Sequence, residues 1–359
     1  VVTLAAGTRW CQSISITIST RYGGRVTGRV TITDVARTAG VSVATVSKVI
    51  NGRYGVAATT SARVQGVIAE LGYETSLVAR SLRSRSTNVI GILVAEFEPY
   101  STEILKGASK AMGGSGYDLL AYAGAGHGGG EVGWESRSLS RLSGTLIDGA
   151  ILVTPTVVDV RDGVPLVAID PHRGPSGHAT VDAENSGGAM LATEYLIDLG
   201  HRRIAFLGGR EDLESSRLRE EGFRAAMAAA GLEVDPRYLR VGGYKRETAD
   251  QPAHELLALP DRPTAVFAAN DLMAIATIDA AADMGLRVPE DLSVVAVDEV
   301  PEAVAATPPL TTVAQPLQQM GMEAVRMLLK MVTDPEAGVE HVRLPTRLIE
   351  RASAAPPPR

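Results

Sequence analysis

Val43, Ala44, Thr45, Ser47 and Lys48 form a compact set of small or short polar side chains with a single cation. On the exposed face of a helix, such a set can approach base edges in a major groove, where bulkier side chains would hold the helix away. The same spacing also suits an ordinary helical hairpin, so its meaning depends on what surrounds it. A second pattern, Gly124, Gly126 and Gly129, is a GxGxxG run after an apolar, strand-like stretch. It would suit a dinucleotide if an acidic residue closed the next strand. That strand, DGAILVT, ends in Thr154 and Pro155, and the glycine-dense run reads as a surface loop. The six histidines are scattered and the one cysteine is Cys11, which leaves no cluster with metal-ligand spacing. No Ser, His and Asp set carries a strained nucleophile motif. Neither catalysis nor a cofactor is expected.

The elements that must position the first set lie in residues 31–51, TITDVARTAGVSVATVSKVIN. Thr31 is placed to N-cap a helix, with Asp34 as the acidic member of a capping box. Ile32, Val35, Ala36 and Ala39 give that helix a small apolar face at offsets of three and four. Gly40 permits a sharp turn, Ser42 caps a second helix, and Val46 and Val49 face inward. A third helix is expected from Thr59 or Thr60 to Leu71, stopped by Gly72, with Val64, Val67, Ile68 and Leu71 buried and Gly66 weakening its middle. Residues 76–88, SLVARSLRSRSTN, follow. They read as a solvated linker, or as a hinge helix too short to be stable until it folds against DNA and a partner subunit.

Charge separates this head from the rest. Residues 1–88 carry eleven Lys or Arg against three acids, a balance of +8, while the whole chain is −6 and the remainder therefore −14. A basic head on an acidic body is expected when only the head meets a polyanion. With 359 residues, 45% of them apolar and 21% charged, the chain has the composition of a globular protein of two or three domains. No apolar run is long enough to span a membrane. Residues 1–29 lack the pattern of a secretory signal and read as an extension without regular structure. The lone cysteine suits a reducing compartment, so a cytoplasmic location is expected.

From Val89 the pattern becomes short apolar runs alternating with amphipathic stretches. VIGILVA, YDLLAYA, DGAILVT, PLVAID, RRIAFLG, TAVFAAN and LSVVAVD are strand-like; 101–112, 185–199, 214–230, 247–258 and 271–284 are helix-like. Such alternation builds parallel sheets covered by helices. Roughly 260 residues exceed one small open sheet, so two similar α/β lobes are expected, with ligands at strand carboxyl ends or between lobes. The tail 352–359, ending APPPR, is expected to be disordered.

Taken together, DVARTAGVSVATVSKVIN, ELGY (70–73), VARSLRS (78–84), LGHRRIAFLGG (199–209), RLREEGF (217–223), FAANDLMAI (267–275), GLRVPEDLSVVAVD (285–298) and PPLTTVAQP (308–316) resemble the LacI/GalR family of bacterial transcription regulators, in family order. The resemblance implies a multi-domain protein. An all-α helix-turn-helix headpiece (30–75) and a hinge (76–87) would precede a two-lobed α/β effector domain, similar to periplasmic binding proteins, over 88–351. Lobe 1 would comprise about 88–182 plus 315–345, and lobe 2 about 183–314 plus 346–351, with crossings near Ala183, Ala314 and Pro345. It further implies a homodimer or tetramer on a pseudo-palindromic DNA operator. The effector would be a small molecule, most often a sugar or oligosaccharide, with corepression by a purine as the family's contrast. The lack of a heptad repeat after the effector domain favours the dimer. A transport solute-binding protein shares the two-lobed fold, but the basic helical head and the missing secretion signal weigh against it.

Carried over residue by residue, Val43, Ala44 and Lys48 match base-reading positions, whereas Thr31, Ser42, Thr45, Ser47 and Asn51 match positions around the DNA backbone. Val43 and Ala44 offer only apolar contact, which leaves Lys48 as the main hydrogen-bonding reader. Leu82 matches the leucine that wedges into the minor groove, with Ala79 packed beside it. In the effector domain, Arg219, Asp298 and Asp170 match ligand-cleft positions, Asn270 lies in the AAND turn, and Tyr244 and Tyr100 match aromatic positions. The chain departs from the family where VGFD or VGYD reads VAVD, placing Ala296 and Val297 beside Asp298. It departs again at Ala57, which stands where a serine caps the third helix.

Overall fold

The computed structural model describes residues 30–50, 52–73, 86–124, 133–157, 164–174, 177–334 and 336–358. Asn51, Ala79, Leu82 and the glycine run after Gly124 lie outside the described residues. The chain divides into two compact units, 1–76 and 77–359.

In the first unit, α1 (Ile32–Ala39), α2 (Val43–Ile50) and α3 (Ala58–Leu71) enclose a small core. Both halves of the capping box are present: the Asp34 amide donates to the Thr31 hydroxyl at 3.3 Å, and the Thr31 amide donates to the Asp34 carboxylate at 3.0 Å. Gly40 turns the chain in the left-handed region, and the Ser42 hydroxyl accepts from the Thr45 amide at 3.1 Å to start α2. Ala57 offers α3 no side-chain cap, and Gly72 closes that helix with a left-handed residue. Val35, Ala36, Ala39, Val46 and Val64 are buried, with Val49, Val67, Ile68 and Leu71 packed around them. The apolar spacing thus leaves one face of α2 outside.

The second unit is built on two six-stranded sheets. The first runs β11–β5–β4–β3–β1–β2 and is parallel throughout, using β1 (Val89–Val94), β2 (Asp118–Ala123), β3 (Gly149–Val153), β4 (Leu166–Ile169), β5 (Ala179–Ala183) and β11 (His341–Leu344). The second runs β12–β10–β9–β8–β6–β7. It uses β6 (Ile204–Gly208), β7 (Leu239–Val241), β8 (Ala265–Ala268), β9 (Ser293–Asp298) and β10 (Thr311–Ala314), with β12 (Arg347–Ile349) antiparallel at its edge. Continuous burial of β1, β3, β4, β6, β8, β9 and β10 explains why their sequences are apolar runs rather than alternations: helices cover both faces.

Helices α4 (Pro99–Ala111) and α11 (Leu317–Thr333) pack together over the first sheet, with α5 (Trp134–Leu142) on its other core. The second sheet carries α6 (Asn185–Asp198), α7 (Glu214–Ala229), α8 (Arg246–Leu257) and α9 (Asp271–Asp283), with the short α10 (Pro301–Ala305). Three of the chain's four phenylalanines, Phe206, Phe223 and Phe267, cluster there, with ring centroids 5.2–6.4 Å apart. The chain passes between the two sheets after β5, after β10 and between β11 and β12. Among the described residues, no helix is long and apolar enough to cross a membrane.

The tail corrects an expectation. Residues 352–358, read as disordered from their Ala, Ser and Pro content, are seated on the second sheet. Ser353 is fully buried, accepting from the Thr311 amide at 2.8 Å and donating to the Val294 carbonyl at 2.6 Å. His201, also buried, has Nε2 2.9 Å from the Ala355 carbonyl and Nδ1 2.9 Å from the Thr264 hydroxyl. A carbonyl only accepts, so Nε2 carries the proton, and burial lowers the His201 pKa and keeps the ring neutral. Specific polar bonds, invisible in composition, hold the segment.

Candidate functional sites

On α2, Val46 faces the core while Ser42, Val43, Ala44 and Lys48 are exposed and Thr45 and Ser47 half-buried. The outward surface is therefore small and nearly flat, with one long cation. Thr31 belongs to the α1 cap, and its hydroxyl also donates to Asp34 at 2.7 Å.

In the second unit, Tyr100, Asp170, Arg219, Tyr244, Asn270 and Asp298 all line one cavity of about 180 Å³. Tyr100 lies in the first turn of α4; Asp170 follows β4, Tyr244 follows β7 and Asn270 follows β8, while Asp298 ends β9. The cavity thus sits at strand carboxyl ends of both sheets. Four of its lining residues, Thr154, Asp170, Tyr244 and Asp298, have positive φ (47°, 49°, 68° and 124°). Each such backbone costs about 1–3 kcal/mol for a non-glycine residue, and it persists only where the surroundings impose it.

Arg219 is the centre of this arrangement. Only 2% exposed, it donates from Nε to the Asn185 side-chain carbonyl at 2.9 Å and from Nη1 to the Ala269 carbonyl, with Nη1 3.5 Å from the Asp298 carboxylate. Its guanidinium lies 5.7 Å from the centroid of the Tyr244 ring. Burial opposes its charge, but Tyr244, Asp298 and Asp170 hold the proton on. Asp298 is pushed up to about 6 by burial, against the pull of Arg219 and of Gln315, whose amide donates to it at 2.5 Å. Burial also raises Asp170, which has a long 3.4 Å bond from Asn185. Behind it, Asp182 is pushed up to about 6 by burial and by Asp170. Among the described residues the buried Tyr100 hydroxyl has no hydrogen-bond partner, a cost of about 1–3 kcal/mol unless something entering the cavity meets it. Asn270 is largely committed to the protein: its carbonyl caps α9 through the Met273 amide at 3.0 Å, and its nitrogen donates to the Tyr244 carbonyl at 3.1 Å.

Two aromatic walls depend on glycine. A Cβ on Gly209 would fall inside the Tyr244 ring, and one on Gly124 would strike Trp134. Trp134, which lines the cavity, was not marked by any motif; its position at the first residue of α5, in a stretch that follows a strand, was the available signal. The sequence reading also missed Lys245, which donates to Glu96 at 2.8 Å and lies 3.7 Å from Glu98, joining loops of the two sheets at the cavity. His172, buried and lowered to about 4 by burial and then by Arg210, completes the opposite wall. Asn185 and Gln315 were missed too, although both directly follow crossings between sheets.

Residues 31–76 match the model for bacterial regulatory proteins of the lacI family, and residues 193–354 match the periplasmic binding protein-like domain. The chain is 37% identical over 334 residues to the ribose operon repressor of Escherichia coli (strain K12), an alignment covering 90% of this chain and 99% of the repressor. Among solved structures, the complex of the transcriptional regulator CelR with cellobiose is 34% identical with a TM-score of 0.68, over 90% of this chain and all of that one. The lac repressor dimer bound to operator and the anti-inducer ONPF is 27% identical with a TM-score of 0.76, over 91% of this chain and all of that one. With a helix-turn-helix unit, two largely parallel sheets around a cavity and a near full-length relative, the chain belongs to the LacI family of bacterial regulatory proteins, DNA-binding transcriptional regulators rather than enzymes.

Proposed function

We propose that this chain is a cytoplasmic, homodimeric repressor whose grip on a pseudo-palindromic operator is set by a sugar bound in the cavity between its lobes. Val43, Ala44 and Lys48 read bases; Thr31, Ser42, Thr45, Ser47 and Asn51 hold the backbone, and Leu82, beside Ala79, wedges the minor groove. Tyr100, Asp170, Arg219, Tyr244, Asn270 and Asp298 meet the effector. The observation that carries the reading is their convergence, from six separate places in the sequence, on one small cavity with a tyrosine hydroxyl that has no hydrogen-bond partner among the described residues. Hydroxyl-rich ligands suit carboxylate acceptors and a guanidinium fork, and aromatic walls suit the C–H face of a ring. The ligand acts only through its different affinity for the two lobe arrangements, typically about 1–3 kcal/mol of coupling.

The test is a mobility-shift titration with DNA from upstream of the chain's own coding region, at rising salt, with and without D-ribose, D-glucose or cellobiose. Specific retardation that weakens with salt, is lost in Lys48→Ala and responds to a sugar is expected. No retardation at low salt would sink the regulator reading for this DNA-reading helix.

A further inference from the structure

Each cation that lines the cavity already faces a carboxylate of its own. Lys245 is held by Glu96 at 2.8 Å and Glu98 at 3.7 Å. Arg210 forms a two-point pair with Asp212, at 3.0 and 2.6 Å. Arg219 has Asp298 at 3.5 Å and spends Nε and Nη1 on Asn185 and the Ala269 carbonyl. His172 is kept neutral by burial. The acids, by contrast, are in surplus. Asp170 has no ion-pair partner among the described residues; a long bond from Asn185, the Arg219 charge and the neighbouring Tyr100 hydroxyl only partly offset its burial, and Asp182 stands behind it.

A phosphate ester brings nearly two negative charges and needs at least one uncommitted cation or a set of free backbone amides. Here it would displace an existing carboxylate or lie against Asp170 and Asp298 in a low-dielectric space, where like charges repel most strongly. A free sugar hydroxyl meets the opposite situation. It donates to Asp170 and accepts from the outer Arg219 nitrogen or from the Tyr100 hydroxyl, which lacks a partner.

We infer that the cavity selects a sugar without phosphate or carboxylate groups and excludes its anionic derivatives through Asp170, which has no ion-pair partner among the described residues, beside the Arg219–Asp298 pair. This deepens the effector reading above and rests on it. It assigns Asp170 two roles: hydrogen-bond acceptor for the ligand and electrostatic gate against anions.

The chain has two tryptophans, so Trp10→Phe leaves Trp134 on the cavity wall as a fluorescent reporter. Full-length protein is titrated with D-ribose, D-glucose, D-galactose, D-fructose and cellobiose, with ribose 5-phosphate, glucose 6-phosphate and gluconate, and with hypoxanthine. An uncharged 5-O-methyl or 6-O-methyl ether is added for whichever sugar binds. The expected result is one neutral sugar that binds, with its methyl ether retaining affinity within about tenfold and its phosphate at least about 100-fold weaker. In Asp170→Asn, the neutral sugar weakens while the gap to its phosphate narrows.

A phosphate or acid that binds as well as its parent sugar overturns the inference and leaves the effector reading intact. So does a methyl ether rejected as strongly as the phosphate, because exclusion is then a matter of volume. If hypoxanthine alone binds, or no sugar does, the sugar reading itself falls and this inference falls with it.

Discussion

Gln315, the first residue after β10, donates its side-chain amide to the Asp298 carboxylate at 2.5 Å. That bond ties a segment passing between the two sheets to the acid at the centre of the cavity. Asn185 does the same at another passage: it follows β5 by two residues, accepts from Arg219 Nε at 2.9 Å and donates to Asp170. The Arg219–Asp298 pair is thus held from two crossings at once, so any ligand that repositions it also acts on segments that join the lobes. Among the described residues the buried Gln315 Oε1 has no partner, so there the amide is oriented by its bond to Asp298.

Replacing Gln315 by Leu keeps the volume and removes the bond. Sugar affinity is expected to fall about tenfold, the weight of one hydrogen bond to a charged group, and operator affinity without sugar to stay within about twofold. The sugar-induced change in operator affinity should shrink by more than the affinity loss explains. Calorimetry and mobility shifts at saturating sugar separate the two. Equal coupling in variant and wild type would assign Gln315 to packing alone.

Arg219→Met removes the only buried Arg or Lys among the described residues and leaves Asp298 and Asp170 without a counter-charge. Both acids are then expected to bind protons near neutrality, so the domain stays folded with a lowered melting temperature. Sugar response should vanish at every concentration while operator binding persists. A variant that still releases DNA on sugar addition would remove Arg219 from the ligand's partners.

Asp182 carries a pH signature. Its pKa rises from 3.8 unfolded to about 6 folded, because burial and Asp170 penalise its charge. A raised acid favours the fold below the unfolded value, and that contribution is lost as pH rises through about 6. Asp182→Asn, neutral at every pH, should therefore melt higher than wild type at pH 7.5, and the difference should fade between pH 6 and 4. Comparing the two proteins cancels His172, lowered to about 4, and His201, also lowered by burial, both of which act in the opposite sense. A melting difference independent of pH would show that Asp182 is not strained by its charge.

Ser353→Ala leaves the Thr311 amide and the Val294 carbonyl without their partner in a dry site, at a cost of about 1–3 kcal/mol each at most. A drop of several degrees in the thermal transition is expected, with unchanged operator affinity. No drop would mean that the Ser353 hydroxyl contributes nothing to the second lobe.

The DNA-reading unit was legible because its cues are local: Thr31, Asp34, Gly40 and Ser42 act within three residues of what they cap. The strands were legible because burial on both faces turns them into apolar runs. The six cavity residues were named from motif positions and lie together because parallel sheets deliver strand ends to one side. Trp134, Lys245 and Gln315 were not legible, since their roles arise from contacts across the fold; Lys245 and Glu96 are 149 residues apart. The tail misled for the opposite reason: a bland composition hid one serine and one carbonyl with buried partners.

The third passage of the chain has a consequence for biosynthesis. β11 and β12, within the last twenty residues of the described chain, each form one edge of a sheet. The first sheet receives β5 by residue 183 but must wait for α11, which starts at Leu317, before its core is covered. At translation rates of about 5–20 residues per second, that interval lasts roughly 7–30 s. During it an apolar sheet face and an unpaired strand edge stand open on the ribosome. The first lobe cannot close before α11 has been made, so the complete ligand cavity forms only after residue 333.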